Sequence, residues 1–176
     1  MMIALQKKIC MLGGVGVGKT SLVRRYVESL FSERYQATVG VKIDRKTVVV
    51  GDHTLNLMLW DLQGETELQR VRLEYLRGAA GYLLVVDVTR RESLVTALEL
   101  GRRAAEVIPG AAVMLVLNKT DLVEQRVISD ADVAGLAAGG WRFGLTSARS
   151  GEGVEVVFRQ LAEQLARSGA TAMEGA

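Results

Sequence analysis

A glycine-rich loop between a short apolar run and a helical pattern most restricts how this chain can fold. The apolar run is Lys8–Leu12, and the helical pattern Thr20–Leu30 carries apolar residues three and four positions apart. Because glycine adopts backbone angles closed to other residues, successive N–H groups of such a loop can point inward and bind an anion at a helix start. The segment Gly13–Thr20, of the form Gly-x4-Gly-Lys-Thr, therefore predicts a phosphate-binding loop.

Apolar runs alternate with helical patterns along the rest of the chain, which is typical of an α/β domain. Val41–Val50 alternates in polarity and is followed, after a turn, by Leu55–Leu59, so these two segments predict an antiparallel hairpin. Tyr82–Val88 and Val113–Leu117 are continuous apolar runs, as expected of central strands covered on both faces. We expect a P-loop NTPase fold with a six-stranded, mostly parallel sheet, one antiparallel edge strand, and helices on both faces.

Four further segments complete the predicted order of elements. Thr89–Glu92 matches a capping box that would open a helix, and Ser129–Asp132 marks another helix start. Trp141–Leu145 predicts a short last strand. An apolar stripe over Val154–Leu165 predicts a final helix that packs on the sheet.

Composition limits the classes of function. With 22 basic and 20 acidic residues the formal net charge is +2, so we expect no nucleic-acid partner. The single cysteine, Cys10, cannot form an internal disulfide, and no apolar run is long enough to span a bilayer, so we expect a cytoplasmic protein. The sequence has neither a Met-Gly start nor a cysteine near its end, and we expect no direct lipid anchor. We expect one domain over 1–167 and a flexible tail over 168–176.

Two motifs predict how a nucleoside triphosphate and its metal are bound. Lys19 is expected to bridge the β- and γ-phosphates, and the Thr20 hydroxyl to bind Mg²⁺. Asp61 ends a predicted strand, a position suited to holding Mg²⁺ through water. Gly64, three residues later, has no side chain, so its N–H could approach the γ-phosphate closely.

Two later motifs predict recognition of guanine. Asn118, Lys119 and Asp121 directly follow a predicted strand. The Asp121 carboxylate can accept hydrogen bonds from guanine N1–H and the exocyclic amine, a pair that adenine does not present. The Lys119 stem can lie over the purine, and the Ala148 N–H can face the guanine carbonyl. An ATP-using P-loop kinase or ATPase remains an alternative, which this carboxylate disfavours.

In these four motifs together, the chain resembles a small GTPase of the Ras superfamily, nearest in pattern to the Rab and Rab-like branch. The resemblance covers roughly residues 6–166. It rests on residues 16–22, on Phe31-x3-Tyr35-x2-Thr38-Val39-Gly40-Val41, on Leu59–Asp61, and on Thr146–Val154.

The resemblance implies GTP and GDP as ligands, Mg²⁺ as cofactor, and two switch segments that respond to the γ-phosphate. Residues 31–41 form the first switch, in which Thr38 would bind Mg²⁺, and residues 63–77 form the second. Protein effectors, an exchange factor and a GTPase-activating protein would bind these segments. Lys19, Thr38 and Glu65 are the expected catalytic group. The expected nucleotide-binding residues are Gly14, Val15, Gly16, Val17, Gly18, Lys19, Thr20, Ser21, Thr38, Asp61, Gly64, Asn118, Lys119, Asp121, Ser147, Ala148 and Arg149, with Thr20, Thr38 and Asp61 as metal ligands.

The chain departs from the family pattern at the catalytic step. The family's usual sensor loop is Asp-Thr-Ala-Gly-Gln, whereas this chain has Asp-Leu-Gln-Gly-Glu, so Glu65 takes the place of the water-positioning glutamine. Val15 brings a branched side chain to a loop position where many relatives carry glycine or serine. We therefore expect a GTP/GDP switch that hydrolyses GTP slowly, with Glu65 nearest the attacking water. The alternative is a nucleotide-binding adaptor with negligible hydrolysis.

Some polar residues are not expected to take part. The only histidine, His53, falls in the predicted hairpin turn and is expected to be exposed. The basic pairs Arg24-Arg25 and Arg102-Arg103 lie on predicted helices, where such pairs usually form solvated faces.

Overall fold

A computed structural model of the chain describes residues 4–34, 36–66 and 70–173. Tyr35, the second-switch residues 67–69, and 174–176 lie outside the described residues. In chain order the strands are β1 Leu5–Gly13, β2 Val41–Val50, β3 His53–Leu62, β4 Gly81–Asp87, β5 Ala112–Asn118 and β6 Phe143–Leu145. The helices are α1 Lys19–Glu28, α2 Arg91–Val107, α3 Asp130–Ala138 and α4 Val154–Met173, with short 3-10 turns at Leu73–Leu76 and Val123–Gln125.

The strands form one six-stranded sheet in the order β2-β3-β1-β4-β5-β6. Among the strands of the described residues, only β2 and β3 pair antiparallel, with Val50 opposite His53 across the turn, and the other four pairings are parallel. The predicted fold class and edge hairpin are therefore confirmed. Since β1, β3, β4 and β5 run in the same direction, their carboxyl ends share one edge of the sheet, where ligands bind in open α/β folds.

Two apolar layers cover the two faces of the sheet. On one face Tyr26 of α1 and Phe158 of α4 stack with ring centroids 4.0 Å apart, within a cluster that includes Ile9 and Leu59. On the other face α2 packs Leu94, Ala97, Leu100 and Ala104 onto Cys10, Leu12 and Leu84. The sheet therefore carries α1 and α4 on one face and α2 on the other.

The two predicted capping boxes differ in outcome. The capping box at Thr89–Glu92 is wrong, because α2 begins at Arg91 without a side-chain cap and the Thr89 hydroxyl donates to Asp87 Oδ1 instead. The capping box of Ser129 and Asp132, which opens α3, is present. The last helix, α4, continues to Met173 and so includes part of the stretch 168–176 predicted as a tail. The flexibility of that stretch stays a prediction.

No helix in the described part of the chain combines the length and the apolar character needed to cross a membrane.

Candidate nucleotide-binding site

A cleft of about 660 Å³ opens at the carboxyl edge of the sheet. It is bounded by the glycine loop after β1, the segment after α1, the segment after β3, and the loops after β5 and β6. Of the expected nucleotide-binding residues, it is lined by Val15, Gly16, Gly18, Lys19, Thr20, Ser21, Thr38, Gly64, Asn118, Lys119, Asp121, Ala148 and Arg149. Gly14, Val17, Asp61 and Ser147 lie behind this lining.

Lys19 is the buried cation of the glycine loop. Its Nζ donates to the carbonyl oxygens of Gly13 at 3.2 Å and Gly14 at 2.9 Å. Burial lowers its pKa to about 8, although the nearby Asp61 carboxylate acts in the opposite direction. Gly18 has φ 105°, and a Cβ there would lie 2.3 Å from Asn118 Nδ2, so only glycine fits between the loop and β5.

Three oxygen-bearing side chains meet beside Lys19. The Thr20 hydroxyl donates to Asp61 Oδ2 at 2.5 Å, and Thr38 Oγ1 lies 2.7 Å from Thr20 Oγ1 and 3.4 Å from Asp61 Oδ2. Asp61 Oδ1 is buried and has no hydrogen-bond partner among the described residues. Burial raises the pKa of Asp61 above its ordinary value, opposed by the Thr20 hydrogen bond and Lys19. A buried carboxylate oxygen in need of a partner, beside two hydroxyls, fits a hard divalent cation such as Mg²⁺.

The sensor segment after β3 packs directly on the glycine loop. Glu65 N–H donates to Gly13 O at 3.0 Å, and Val15 N–H donates to Glu65 O at 3.2 Å. A Cβ on Gly64 would lie 2.6 Å from Val15 Cα, so the absence of a side chain at Gly64 allows this close approach. The two segments therefore hold each other's backbone in place.

The Glu65 side chain lies against α2 in this structure. Both carboxylate oxygens lie 2.9 Å from Arg103 Nη1, and Oε2 also accepts the Val71 N–H at 3.1 Å. Glu65 does not line the cleft. The opposite charge of Arg103 on α2 holds the carboxylate in this arrangement, and the catalytic role of Glu65 stays a prediction.

Gln63 joins the two switch segments. Its N–H donates to Gly40 O at 2.8 Å, and its side-chain Oε1 accepts the Gly40 N–H at 3.2 Å. Gln63 lines the cleft, but its amide oxygen is occupied by the first switch. With this contact made, the Gln63 amide oxygen is directed to the first switch.

Asn118 organises the loops expected to recognise the base. Its Nδ2 donates to Val17 O at 3.0 Å, which ties β5 to the glycine loop. Its Oδ1 accepts from the Thr146 hydroxyl at 3.0 Å and from the Ala148 N–H at 3.3 Å. The Ala148 N–H, expected to face a guanine carbonyl, therefore donates to Asn118 in this structure.

Lys119 bridges the base loop and the glycine loop. Its Nζ donates to Gly16 O at 2.7 Å and pairs with Asp87 Oδ2 at 2.8 Å. Burial alone would raise the pKa of Asp87, but hydrogen bonds from Lys119 and Thr89 outweigh it and hold the pKa below its ordinary value. The Lys119 side chain therefore reaches from the base loop to the glycine loop, and its place over the purine stays a prediction.

Asp121 and the last loop close the base end. The Ser147 hydroxyl donates to Asp121 Oδ1 at 2.7 Å, and Arg149 Nη2 lies 3.0 Å from Glu33 Oε1 across the cleft mouth. Asp121 itself remains exposed at the cleft surface. Its second carboxylate oxygen and its exposure leave it accessible to a ligand.

Two arginines that support the site were not identified from the sequence. Arg25 Nε donates to Ala148 O at 2.7 Å, and its Nη2 donates to Arg149 O. Arg90 Nη2 donates to Val15 O at 2.9 Å. The expectation that Arg25 belongs to a solvated helix face is wrong, since only its neighbour Arg24 pairs at the surface, with Glu28. No periodic signal in the sequence distinguishes Arg25 from Arg24.

Comparisons with known proteins are consistent with this geometry. The Ras family model matches residues 8–167. GTP-binding protein Rab-3D of Rattus norvegicus is 34% identical over 158 residues, which cover 89% of this chain and 72% of that protein. Ras-related protein RABF2b of Arabidopsis thaliana is 32% identical over 166 residues, which cover 93% of this chain and 83% of that protein. Ras-related protein Rab-4 of Dictyostelium discoideum is 35% identical over 153 residues, which cover 86% of this chain and 75% of that protein.

Proposed function

Since the chain belongs to the Ras family, as a Rab-like small GTPase, we propose that it is a GTP/GDP switch that hydrolyses GTP to GDP and phosphate slowly. The observation that carries the proposal is the convergence of the glycine loop, the Thr20–Asp61 pair and the Asn118–Asp121 loop on one cleft. A nucleoside triphosphate in that cleft would have its phosphates beside Lys19 and its base beside Asp121.

Lys19 supplies positive charge at the phosphate end. Its ammonium group is bound by two loop carbonyls and lines the cleft, so a short side-chain movement would bring it to the phosphates. Phosphate charge beside Lys19 favours its protonated form and would raise the pKa that burial holds at about 8. The N–H groups of the glycine loop and of α1 add partial positive charge at the same place.

Thr20, Thr38 and Asp61 are the residues that would hold Mg²⁺. The unpaired, buried Asp61 Oδ1 and the two adjacent hydroxyls supply the oxygen ligands that this ion prefers. When bound, Mg²⁺ compensates phosphate charge during transfer. Thr38 belongs to the first switch, so its contact with Thr20 also brings that switch over the phosphate end of the cleft.

Slow hydrolysis follows from the two departures at the phosphate end. The Glu65 carboxylate is paired with Arg103, so it neither positions nor deprotonates a water in the cleft in this arrangement. Val15 lines the cleft, and its backbone packs against Gly64. Lys19, Thr38 and the loop N–H groups remain to stabilise charge on the transferred phosphoryl group.

The alternative function is a nucleotide-binding adaptor that does not turn over. The ion pair of Glu65 with Arg103 favours this alternative, because it removes the one side chain that the family resemblance assigned to the attacking water. Under this alternative the protein changes state by nucleotide exchange or when a partner supplies the missing catalytic group. Affinity for GTP would be the same in both cases.

Protein partners would bind at residues 31–41 and 63–77. Val39 is 88% exposed, and the first switch contributes Glu33, Arg34 and Gln36 to the exposed surface around it. Gln63 and Gly40 connect the two segments, so a change at one would be transmitted to the other. Effectors, an exchange factor and a GTPase-activating protein are the partner classes that such a surface fits.

The test is single-turnover phosphate release from protein preloaded with GTP and started with Mg²⁺. We expect slow release that Lys19→Ala blocks in protein still shown to hold GTP. Release that continues unchanged in Lys19→Ala would indicate a contaminating phosphatase. No release over hours with GTP still bound would establish the adaptor, and failure to bind either guanine nucleotide would overturn both functions.

A further inference from the structure

Glu65 is the acidic residue that joins the phosphate end of the cleft to helix α2. Its backbone exchanges hydrogen bonds with Gly13 and Val15 of the glycine loop. The preceding residue, Gly64, lines the cleft. The carboxylate of Glu65 therefore stands one residue from the cleft lining, on a backbone that the glycine loop holds in place. Loss of the contact with α2 would therefore free this negative charge one residue from the cleft lining.

Arg103 of α2 makes this contact. A single nitrogen, Nη1, lies 2.9 Å from both carboxylate oxygens. The two side chains are 13% and 14% exposed, which is far less than in the other arginine–carboxylate pairs of α2. Because both charges are largely removed from water, each depends on the other for compensation. The Val71 N–H adds a second donor to Oε2.

We propose that Arg103 sets the preference of the cleft for GTP over GDP, because it neutralises Glu65 and holds the carboxylate away from the γ-phosphate. The inference rests on the proposed nucleotide-binding function. GTP brings additional negative charge to the part of the cleft next to Gly64, and GDP does not. An uncompensated carboxylate on the adjacent residue therefore repels GTP more than GDP. Arg103 is a positioning residue that acts through Glu65.

The neighbouring Arg102 provides a matched control on the same helix. It also forms ion pairs, with Glu99 at 2.9 Å and Glu106 at 2.6 Å, but its side chain is 60% exposed. Arg102→Met removes the same formal charge from the same helix as Arg103→Met does. Any effect of net charge alone would appear in both variants, whereas an effect through Glu65 would appear only in Arg103→Met.

The experiment measures the ratio of GTP to GDP affinity, with fluorescent analogues of both nucleotides, in Mg²⁺ buffer. We expect Arg103→Met to lower the ratio roughly fivefold, the size of a unit-charge repulsion across a partly hydrated cleft. Arg103→Gln, which can still donate to the carboxylate, is measured beside it and is expected to shift the ratio in the same direction. Arg102→Met should leave the ratio unchanged.

Variants that retain or restore the affinity ratio distinguish a positioning role of Arg103 from general structural damage. Arg103→Lys can reproduce the contact of one nitrogen with two oxygens and should retain the wild-type ratio. Glu65→Gln combined with Arg103→Met removes both charges and should also restore it. A ratio that stays at the wild-type value in Arg103→Met and Arg103→Gln overturns the inference. If Arg103→Met lowers the affinity ratio equally in the Glu65→Gln background, the inference is also overturned, because the effect would then not pass through Glu65.

Failure of the proposed function gives a different result. Wild-type protein that binds neither GTP nor GDP would overturn the nucleotide-binding function itself, before any variant is compared. Wild-type protein that binds both, with Arg103 variants indistinguishable from it, overturns only the role of Arg103.

Discussion

The Ser147 hydroxyl donates a hydrogen bond of 2.7 Å to Asp121 Oδ1 and so joins the loop after β5 to the loop after β6. Ser147 Oγ also accepts the Ser150 N–H at 3.0 Å, so its orientation is fixed by the last loop itself. One carboxylate oxygen of Asp121 is held by the protein. The rotation of the carboxylate is thereby set before a base arrives, which lowers the entropy lost on binding.

Asp121→Asn is expected to reverse the preference for the base. The asparagine amide places a donor where guanine also presents donors, and a charge-assisted interaction is lost, so GTP affinity should fall roughly 100-fold. Xanthine has a carbonyl in place of the exocyclic amine and should bind the variant better than guanine does. Competition of GTP, XTP and ATP against a fluorescent nucleotide measures this change. Equal affinity of wild-type protein for ATP and GTP would contradict the assigned role of Asp121.

Arg25→Met is expected to accelerate nucleotide release. Arg25 donates from α1 to the carbonyls of Ala148 and Arg149, and loss of these charge-assisted hydrogen bonds frees the last loop. The dissociation rate of GDP should rise roughly tenfold while association changes little. Arg102→Met, whose exposed side chain pairs with Glu99 and Glu106 and does not line the cleft, is the control and should leave the rate unaltered. Equal rates in both variants would mean that the loop does not depend on Arg25.

The parts of the fold that repeat a pattern could be predicted from the sequence. The hairpin of β2 and β3 follows from alternation and a turn, and the buried strands β4 and β5 follow from continuous apolar runs. The phosphate and base loops could be located because each follows a predicted strand. The start of α2 could not, because the Thr89 hydroxyl can either accept the Glu92 N–H, as in a capping box, or donate to a carboxylate, and the sequence does not show that Asp87 lies within reach.

Long-range pairs within the site could not be predicted either. Glu65 and Arg103 are 38 positions apart, and no local period connects them. Arg102-Arg103 and Arg24-Arg25 look alike in sequence, yet in each pair the first arginine forms an ion pair within its own helix and the second reaches a loop near the cleft. Which of two adjacent arginines faces inward depends on the exact rotation of a helix against the sheet, which the sequence pattern does not fix to within one residue.

Restoration of the family pattern should accelerate hydrolysis. Val15→Gly with Glu65→Gln removes a branched side chain from the cleft and replaces the carboxylate by an amide that Arg103 binds less strongly. We expect the single-turnover rate of GTP hydrolysis to rise severalfold in the double variant and less in either single variant. An unchanged rate, with GTP affinity retained, would refute this explanation of slow turnover.

Removal of Mg²⁺ is expected to loosen nucleotide binding through Asp61. Excess chelator should raise the dissociation rate of GDP at least roughly tenfold, because phosphate charge beside the Asp61 carboxylate is then uncompensated. In Asp61→Asn the chelator should have a smaller effect, since the variant lacks the carboxylate that both holds the ion and repels the phosphates. A chelator effect of the same size in both proteins would place the metal elsewhere.

Phe158→Ala should be among the most destabilising substitutions. Phe158 is 1% exposed and stacks on Tyr26 with 3° between the ring planes, so it joins α4 to the helix that follows the phosphate loop. A cavity and a lost aromatic pair cost about 3–5 kcal/mol, which lowers Tm by about 10 °C. Thermal unfolding with GDP measures this, and Val156→Ala, 56% exposed on the same helix, should shift Tm little. Equal shifts in both variants would mean that α4 does not pack through Phe158.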